Sequence, residues 1–107
     1  MKITLSPQLR AAPMAVSVAG DAITIDGTAY DFTPLAEGDV LPRGAVDCPW
    51  LVSDVTREGG HICLTLILPH GSSAPRETLF PAPITVTGDG PVALPPFDAP
   101  PAEEPAA

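Results

Sequence analysis

The stretch MAVSVAGDAITIDGTAYDF, residues 14–32, decides the fold, because it sets two tight-turn signals between runs of alternating apolar and polar residues. Gly20-Asp21 suits a type II′ turn and Asp26-Gly27 suits a type I′ turn, the turns that most often join hairpin strands. The registers that these turns set place one group of apolar residues on a single face: Val16, Val18, Ile23, Ile25, Tyr30 and Phe32. A shift of one residue would break this agreement, so the sequence predicts a three-stranded antiparallel meander.

A second hairpin is predicted over residues 50–69, around a tight turn at Gly59-Gly60. The turn places Glu58 opposite His61, and it sets one face of apolar residues: Leu51, Val55, Ile62, Leu64, Leu66 and Leu68. The opposite face, called the mixed face below, is polar near the turn and apolar far from it: Trp50, Val52, Asp54, Thr56, Glu58, His61, Cys63, Thr65 and Ile67. We expect the apolar end of the mixed face to lie partly under another element.

Two shorter strand regions flank these hairpins. Residues 2–6 are predicted as a first strand that ends at Pro7. Residues 84–94 are predicted as a last hairpin with a three-residue turn. Its strands are expected at sheet edges, because Pro83 and Pro91 cannot donate a ladder hydrogen bond.

The connections between these regions are rich in proline and glycine. Residues 33–46 are predicted to wrap the edge of the sheet, and residues 70–83 are predicted as a loop. Apolar residues within these connections are expected to pack inward: Leu35, Val40, Leu41, Leu79 and Phe80.

One domain is predicted over residues 1–94. Its fold class is all-β, with antiparallel hairpins and a meander packed as a small sandwich or as a partly open barrel. Residues 95–107, PPFDAPPAEEPAA, hold five prolines in thirteen positions. This composition predicts an extended, disordered tail, in which Phe97 is the one candidate anchor.

The charge balance limits the classes of partner. The chain has 107 residues, 13 acidic and 5 basic side chains, and a formal net charge of -8. It offers no basic stripe for a phosphate backbone, so nucleic-acid binding is not expected. The acids are scattered rather than densely rowed, which also disfavours a DNA mimic. No run has the ~20 apolar residues of a membrane span, and we expect a cytoplasmic protein that could later enter a larger particle.

Both cysteines are predicted to be free thiols. The hairpin register pairs Thr56 with Cys63, and Cys48 lies eight residues before Thr56. That separation is roughly 26 Å at about 3.3 Å per residue. A disulfide needs Cα atoms within about 7 Å of each other.

The sharpest candidate for chemistry is the set Glu58, His61 and Cys63 on the mixed face. Zinc accepts these residue types, but the set supplies at most three ligands and no fourth is evident. The alternative interpretation is a charged cross-strand pair beside a turn, with Cys63 as a small apolar residue. No metal or other cofactor is predicted, and a metal-binding module or metal-dependent enzyme is kept as the second hypothesis.

The remaining candidates point to contacts rather than to catalysis. His70 lies near Ser72 and Ser73, but the GxSxG elbow of serine hydrolases is absent, so these are interpreted as turn residues. Trp50 is the only tryptophan and is either a core residue or an interface anchor. Phe97 could anchor a short docking segment. No P-loop, GxGxxG, CxxC or HExxH motif occurs, and no catalytic residues are predicted.

Five stretches carry a resemblance to a known group: MKITLSP, IDGTAYDFTPL, LPRGAVDCPW, LTLILPHG and PAPITVTGDGPVALPP. They resemble small uncharacterised proteins encoded in the tail modules of prophages in Gram-negative bacteria, over most of residues 1–97. The resemblance implies a phage tail or tail-fibre context, in which small β domains act as structural parts or assembly helpers. It carries over no site residues.

The leading hypothesis is a non-enzymatic, phage-derived structural or assembly protein that acts through protein–protein contacts. Self-association is expected through the last hairpin or the mixed face. A third hypothesis is a host-directed inhibitor that uses its acidic surface.

Overall fold

The protein is described by a computed structural model over residues 1–98. The regular secondary structure of these residues is mostly β-strand, with one short α-helix and one 3₁₀ turn at Arg43–Ala45. In chain order, the strands and the helix are β1 (Lys2–Leu9), β2 (Val16–Ala19), β3 (Ala22–Ile25), β4 (Thr28–Asp31), β5 (Val40–Leu41), β6 (Val55–Glu58), β7 (His61–His70), α1 (Arg76–Leu79), β8 (Ile84–Thr85) and β9 (Gly90–Pro91).

The strands form two open sheets. The first sheet has the order β5-β6-β7-β1-β8, and the second has the order β4-β3-β2-β9. The apolar faces of both sheets contribute to one core cluster, which includes Ile3, Ile23, Ile25, Val55 and Leu66. The predicted all-β fold is confirmed, and the described residues form a two-sheet sandwich rather than a closed barrel.

The meander of β2, β3 and β4 has the predicted register. Val18 pairs with Ile23, and Ile23 pairs with Tyr30. Asp26 and Gly27 have φ angles of 49° and 86°, as a type I′ turn requires, while positive φ in the first turn is confined to Gly20 at 60°. The predicted apolar face is confirmed, with Tyr30 half-buried and the other members buried: Val16, Val18, Ile23, Ile25 and Phe32.

The β6–β7 hairpin also has the predicted register near its turn, where Glu58 pairs with His61. Farther from the turn the register shifts by two residues, because Leu51 bridges to Leu66 and not to Leu68. Ser53 and Asp54 form the bulge that takes up the difference. A bulge of two residues preserves the alternation of side chains, so all six residues of the predicted apolar face are buried: Leu51, Val55, Ile62, Leu64, Leu66 and Leu68.

Strand β1 is longer than predicted, because it runs through Pro7 to Leu9 and pairs in parallel with β7. The backbone N–H of Arg10 donates to β7, whereas Met1 exchanges hydrogen bonds with Val86 on the opposite side. Hydrogen-bonding direction alternates along a strand, so odd-numbered residues of β1 face away from β7. The nitrogen of Pro7 therefore faces the outer side, where no ladder hydrogen bond is lost.

The prediction of a hairpin over residues 84–94 is wrong. β8 pairs with β1 in the first sheet, whereas β9 pairs with β2 in the second sheet. The intervening residues 86–89 therefore connect the two sheets along one side of the sandwich. The prediction that Pro83 and Pro91 mark edge strands is confirmed by the strand order.

The predicted connections contain short elements. Residues 33–46 include β5, which pairs with β6 at the edge of the first sheet. Leu35 and Leu41 pack against the core as expected, but Val40 is 56% exposed. The predicted inward packing is also wrong for Leu79 and Phe80. Leu79 ends the four-residue helix and is 40% exposed, and Phe80 follows it and is 72% exposed.

The predicted tail begins with residues that contact the domain. The carbonyl oxygen of Phe97 accepts the backbone N–H of Gly71 at 2.9 Å, and the carbonyl of Pro96 accepts the hydroxyl of the buried Thr78 at 2.6 Å. Residues 96–98 of the predicted disordered tail therefore contact the domain, and they include its candidate anchor, Phe97. The rest of the predicted tail, residues 99–107, lies outside the described residues.

Candidate interaction surface

The mixed face brings Glu58, His61 and Cys63 to one end of the first sheet, as the register predicted. The Glu58 carboxylate accepts the Thr56 hydroxyl at 2.8 Å, and the Cys63 thiol lies 3.6 Å from the carbonyl oxygen of His61. Within residues 1–98, no group of three or more His, Cys, Asp or Glu residues is arranged to hold a metal ion. The three side chains share a face but do not assemble into a ligand set.

His70 is the last residue of β7, and Ser72 and Ser73 lie in the loop that follows it. His70 Nδ1 lies 2.9 Å from the carbonyl oxygen of Gly71. That oxygen can only accept, so Nδ1 carries the hydrogen. The backbone N–H of Ser73 donates to the Asp98 carboxylate at 2.9 Å. These are turn and loop contacts, which agrees with the interpretation of His70, Ser72 and Ser73 as turn residues.

The two interface candidates are both half-buried. Trp50 packs against the core cluster, and its carbonyl oxygen accepts the N–H of Ile67 at 2.7 Å. Phe97 lies at the point where residues 96–98 contact the loop after β7. Both residues therefore contribute to contacts within the domain. The described cysteines, Cys48 and Cys63, are free, as predicted.

A surface groove that the sequence did not reveal lies beside the C-terminal end of β4. It has a volume of about 300 Å³. Its walls are mainly apolar, with two aspartates at the rim: Asp31, Phe32, Pro34, Leu35, Asp39 and Leu41. We call it the β4–β5 groove, because its lining residues come from the ends of these strands and from the segment that joins them.

Among residues 1–98, β4 is the terminal strand of the second sheet, so its outer side is an open strand edge in this part of the chain. Phe32 N–H donates to the Asp21 carbonyl at 3.0 Å, which assigns the even-numbered residues of β4 to the ladder with β3. The backbone groups of Ala29 and Asp31 consequently point away from β3. The open edge leads directly into the β4–β5 groove.

Arg57 holds the wall of this groove in place. Its guanidinium lies beneath the segment after β4, where Nε donates to the Leu35 carbonyl and Nη2 lies 3.4 Å from the Phe32 carbonyl oxygen. Nη2 also forms an ion pair with Asp21 at 2.9 Å. The hairpin register places Arg57 on the core face of β6. A charged side chain on that face needs a partner, and this is the signal that sequence reasoning could have followed, although it does not identify Asp21.

Glu37 fixes the same segment from the opposite end. Its two carboxylate oxygens accept the backbone N–H groups of Gly59 and Gly60, at 2.9 and 2.7 Å. The Gly38 N–H donates to the Arg57 carbonyl at 3.1 Å. The segment between β4 and β5 is thus tied to the β6–β7 hairpin at both of its ends.

The ionisable groups near the groove are perturbed in two ways. Hydrogen bonds from the Thr33 hydroxyl and backbone N–H lower the pKa of Asp31 below its ordinary value. Desolvation raises the pKa of Tyr30, and a hydrogen bond with Cys48 and the charge of Asp47 add to the effect. Asp31 is therefore a charged group at neutral pH, and Tyr30 is a neutral one.

Comparison with known proteins gave no match to a family model, to a curated protein or to a solved structure. In the described part of the chain, the helices lack the length and apolar character needed to cross a bilayer.

Proposed function

We propose that this protein is a non-enzymatic, phage-derived structural or assembly protein that acts through protein–protein contacts. The observation that carries the proposal is the open edge of β4 beside the apolar β4–β5 groove. An unpaired strand edge is a ready template for another chain, and soluble proteins usually block it.

The other sheet edges of the described domain are blunted. Pro7 occupies an outward position of β1, Pro83 precedes β8 and Pro91 lies in β9, while β5 is only two residues long. Such features are the usual protection against unwanted pairing. The four-residue strand β4 contains no proline and is longer than β5, and its outward positions are Ala29 and Asp31. This difference supports a role for the β4 edge in binding.

The rigidity of the groove supports the same proposal. Arg57 and Glu37 hold the segment between β4 and β5 through contacts to backbone groups. A preformed wall reduces the entropy that a partner would otherwise lose in ordering it. The phage-tail context comes from the sequence resemblance, and it makes a neighbouring tail component the partner to test first, in the host cytoplasm or in an assembled particle.

Site-specific photo-crosslinking tests the proposal. A benzophenone amino acid would replace Val40, which is 56% exposed next to the groove. The matched position is Thr87, which is exposed in the connection between β8 and β9 on the opposite side. Each variant would be co-expressed with the products of the neighbouring genes, and adducts would be identified by mass spectrometry.

We expect an adduct with one neighbouring gene product from position 40 and none from position 87. Adducts from position 87 alone would assign the contact to the opposite side of the sandwich and overturn the role of the groove. The absence of adducts from both positions would overturn the interaction function.

A further inference from the structure

We infer that the β4–β5 groove and the β4 edge bind an extended segment of a partner protein, in which basic side chains flank an apolar one. This inference rests on the proposed function and names the chemistry of the partner. Three features of the surface carry it: the backbone groups of β4, the shape of the groove and the charge at its rim.

The backbone of β4 favours an extended partner. Ala29 and Asp31 each direct an N–H and a carbonyl group away from β3. Residues two apart in a strand are separated by roughly 6.6 Å, and the groups of another strand repeat at the same spacing. A helix satisfies its own backbone groups internally and offers no such row, so added-strand pairing is the matching mode of recognition.

The groove favours an apolar side chain on that strand. Phe32, Leu35 and Leu41 form its walls, and its volume of about 300 Å³ is at the lower end for small-molecule pockets. In an added strand, alternate side chains point to the same face, and pockets for these side chains supply specificity. The side chain that follows the Asp31 end of the edge would enter the groove.

The charges at the rim of the groove favour basic residues on both sides of the apolar side chain in the partner segment. Asp31 accepts hydrogen bonds from Thr33, and Asp39 accepts the backbone N–H of Ala36 at 3.1 Å. Neither carboxylate has a cationic partner within residues 1–98, where Arg57 and Asp21 form the single ion pair. The formal net charge of -8 adds a wider field that attracts a basic segment.

The same charges disfavour a second copy of this chain as the occupant. Edge-to-edge pairing of two β4 strands would bring Asp31 and Asp39 of both copies to one interface. Like charges placed opposite each other destabilise a strand pair. A basic partner segment removes this repulsion, so the rim selects a different protein.

Selection from a library of random 12-residue peptides tests the inference with the full-length protein as target. Three variants serve as counter-targets. D31N/D39N removes both rim charges and keeps the hydrogen-bond acceptors, V40D adds a charge beside the groove at an exposed position, and A29P removes an outward N–H without breaking a bond to β3. T87D is the matched control on the opposite side.

We expect enriched peptides in which lysine or arginine flanks aliphatic or aromatic residues in alternation. Their affinity should fall about threefold to tenfold in D31N/D39N, with a weaker dependence on salt, and should be unchanged in T87D. Binding should also fall in V40D and A29P. Thermal melting of each variant verifies that it is folded.

Three results would overturn the inference: no enrichment, enrichment without a basic and apolar pattern, or equal binding to all variants. A crosslink from position 40 to a gene product without such a segment would also overturn it, while leaving the proposed function in place. The absence of crosslinked adducts from both position 40 and position 87 would instead overturn the proposed function.

Discussion

Arg57 and Asp21 join the two sheets of the sandwich, with Nη2 and Oδ2 2.9 Å apart and side-chain exposures of 14% and 34%. Arg57 comes from β6 in the first sheet, and Asp21 comes from the turn between β2 and β3 in the second. The same guanidinium donates to the Leu35 carbonyl in the wall of the β4–β5 groove. One side chain therefore couples the packing of the sheets to the shape of the candidate binding surface.

Substitution of Arg57 should destabilise the domain. A lysine keeps the positive charge but loses the planar fork that reaches Asp21 and the Leu35 carbonyl together. We expect R57K to lower the free energy of unfolding by about 2 kcal/mol, since the pair is partly exposed and breaking a fully buried one costs more. Denaturation with urea measures the change. R43K is the matched control, because Arg43 is exposed; equal effects of the two substitutions would contradict the bridging role.

A side chain at Gly27 should lower the free energy of unfolding, because Gly27 lies in the turn that positions β4. Its φ angle is 86°, yet a Cβ there would meet no atom within 4 Å. The expected cost of G27A, about 1–2 kcal/mol of unfolding free energy, is therefore backbone strain alone. Gly44 also has open space around its Cβ position but no positive φ, so G44A should leave the stability unchanged. Urea denaturation compares the two, and a neutral G27A would argue against the type I′ turn.

Asp31 should show a pH-dependent contribution to stability at the rim of the groove. Its folded-state pKa is lowered from 3.8, mainly by the Thr33 hydroxyl. A lowered pKa means that ionised Asp31 stabilises the fold at pH values above 3.8. This contribution is lost as the pH falls through the folded-state pKa.

Removal of the Thr33 hydroxyl tests this assignment. We expect T33V to raise the pKa of Asp31 toward its ordinary value, while the backbone N–H of residue 33 keeps part of the effect. An NMR titration of the Asp31 carboxyl carbon measures the pKa directly. Thr28 lies in the same strand without a hydrogen bond to Asp31, and T28V is the control. An unchanged pKa in T33V would show that the hydroxyl is not the main cause.

Local signals account for the parts of the fold that could be predicted. Two-residue turns fix the facing residues on both sides, so the pairing of Ile23 with Tyr30 and of Glu58 with His61 could be predicted. The parallel pairing of Lys2 with Cys63 joins segments about 60 residues apart, and no turn specifies it. The prediction that Pro7 ends the first strand is wrong for the same reason, because the effect of a proline depends on which side of the strand is paired.

The last two strands show the same limit. Residues 84–94 carry a hairpin-like turn signal, but the two sheets each offer an edge, and β8 and β9 pair with different ones. The β4–β5 groove depends on the relation between an edge of the second sheet and an edge of the first. Apolar character predicts the inward packing of Leu35, but the same reasoning is wrong for Val40 and Phe80. The β4–β5 groove that Leu35 lines could not be predicted, because it forms only where the two sheet edges meet.

The contact between Gly71 and Asp98 provides a final prediction, on how residues 96–98 are held. A Cβ at Gly71 would overlap the Asp98 carboxylate, which accepts the N–H of Ser73 at 2.9 Å. The Asp98 side chain is exposed and its carboxylate can move aside, so we expect G71A to lower the free energy of unfolding by about 0.5–1.5 kcal/mol, mainly through loss of the hydrogen bond to Ser73. D98A should cost about 0.5–1.5 kcal/mol through the lost hydrogen bond.

The double variant G71A/D98A tests whether the two residues are in contact. In this variant the overlap is gone, so its total cost should fall below the sum of the two single costs by about 1 kcal/mol. Urea denaturation of the four proteins completes the cycle, and G88A, with open space at its Cβ, controls for the loss of a glycine. Additive costs would mean that the segment does not pack against Gly71 in solution.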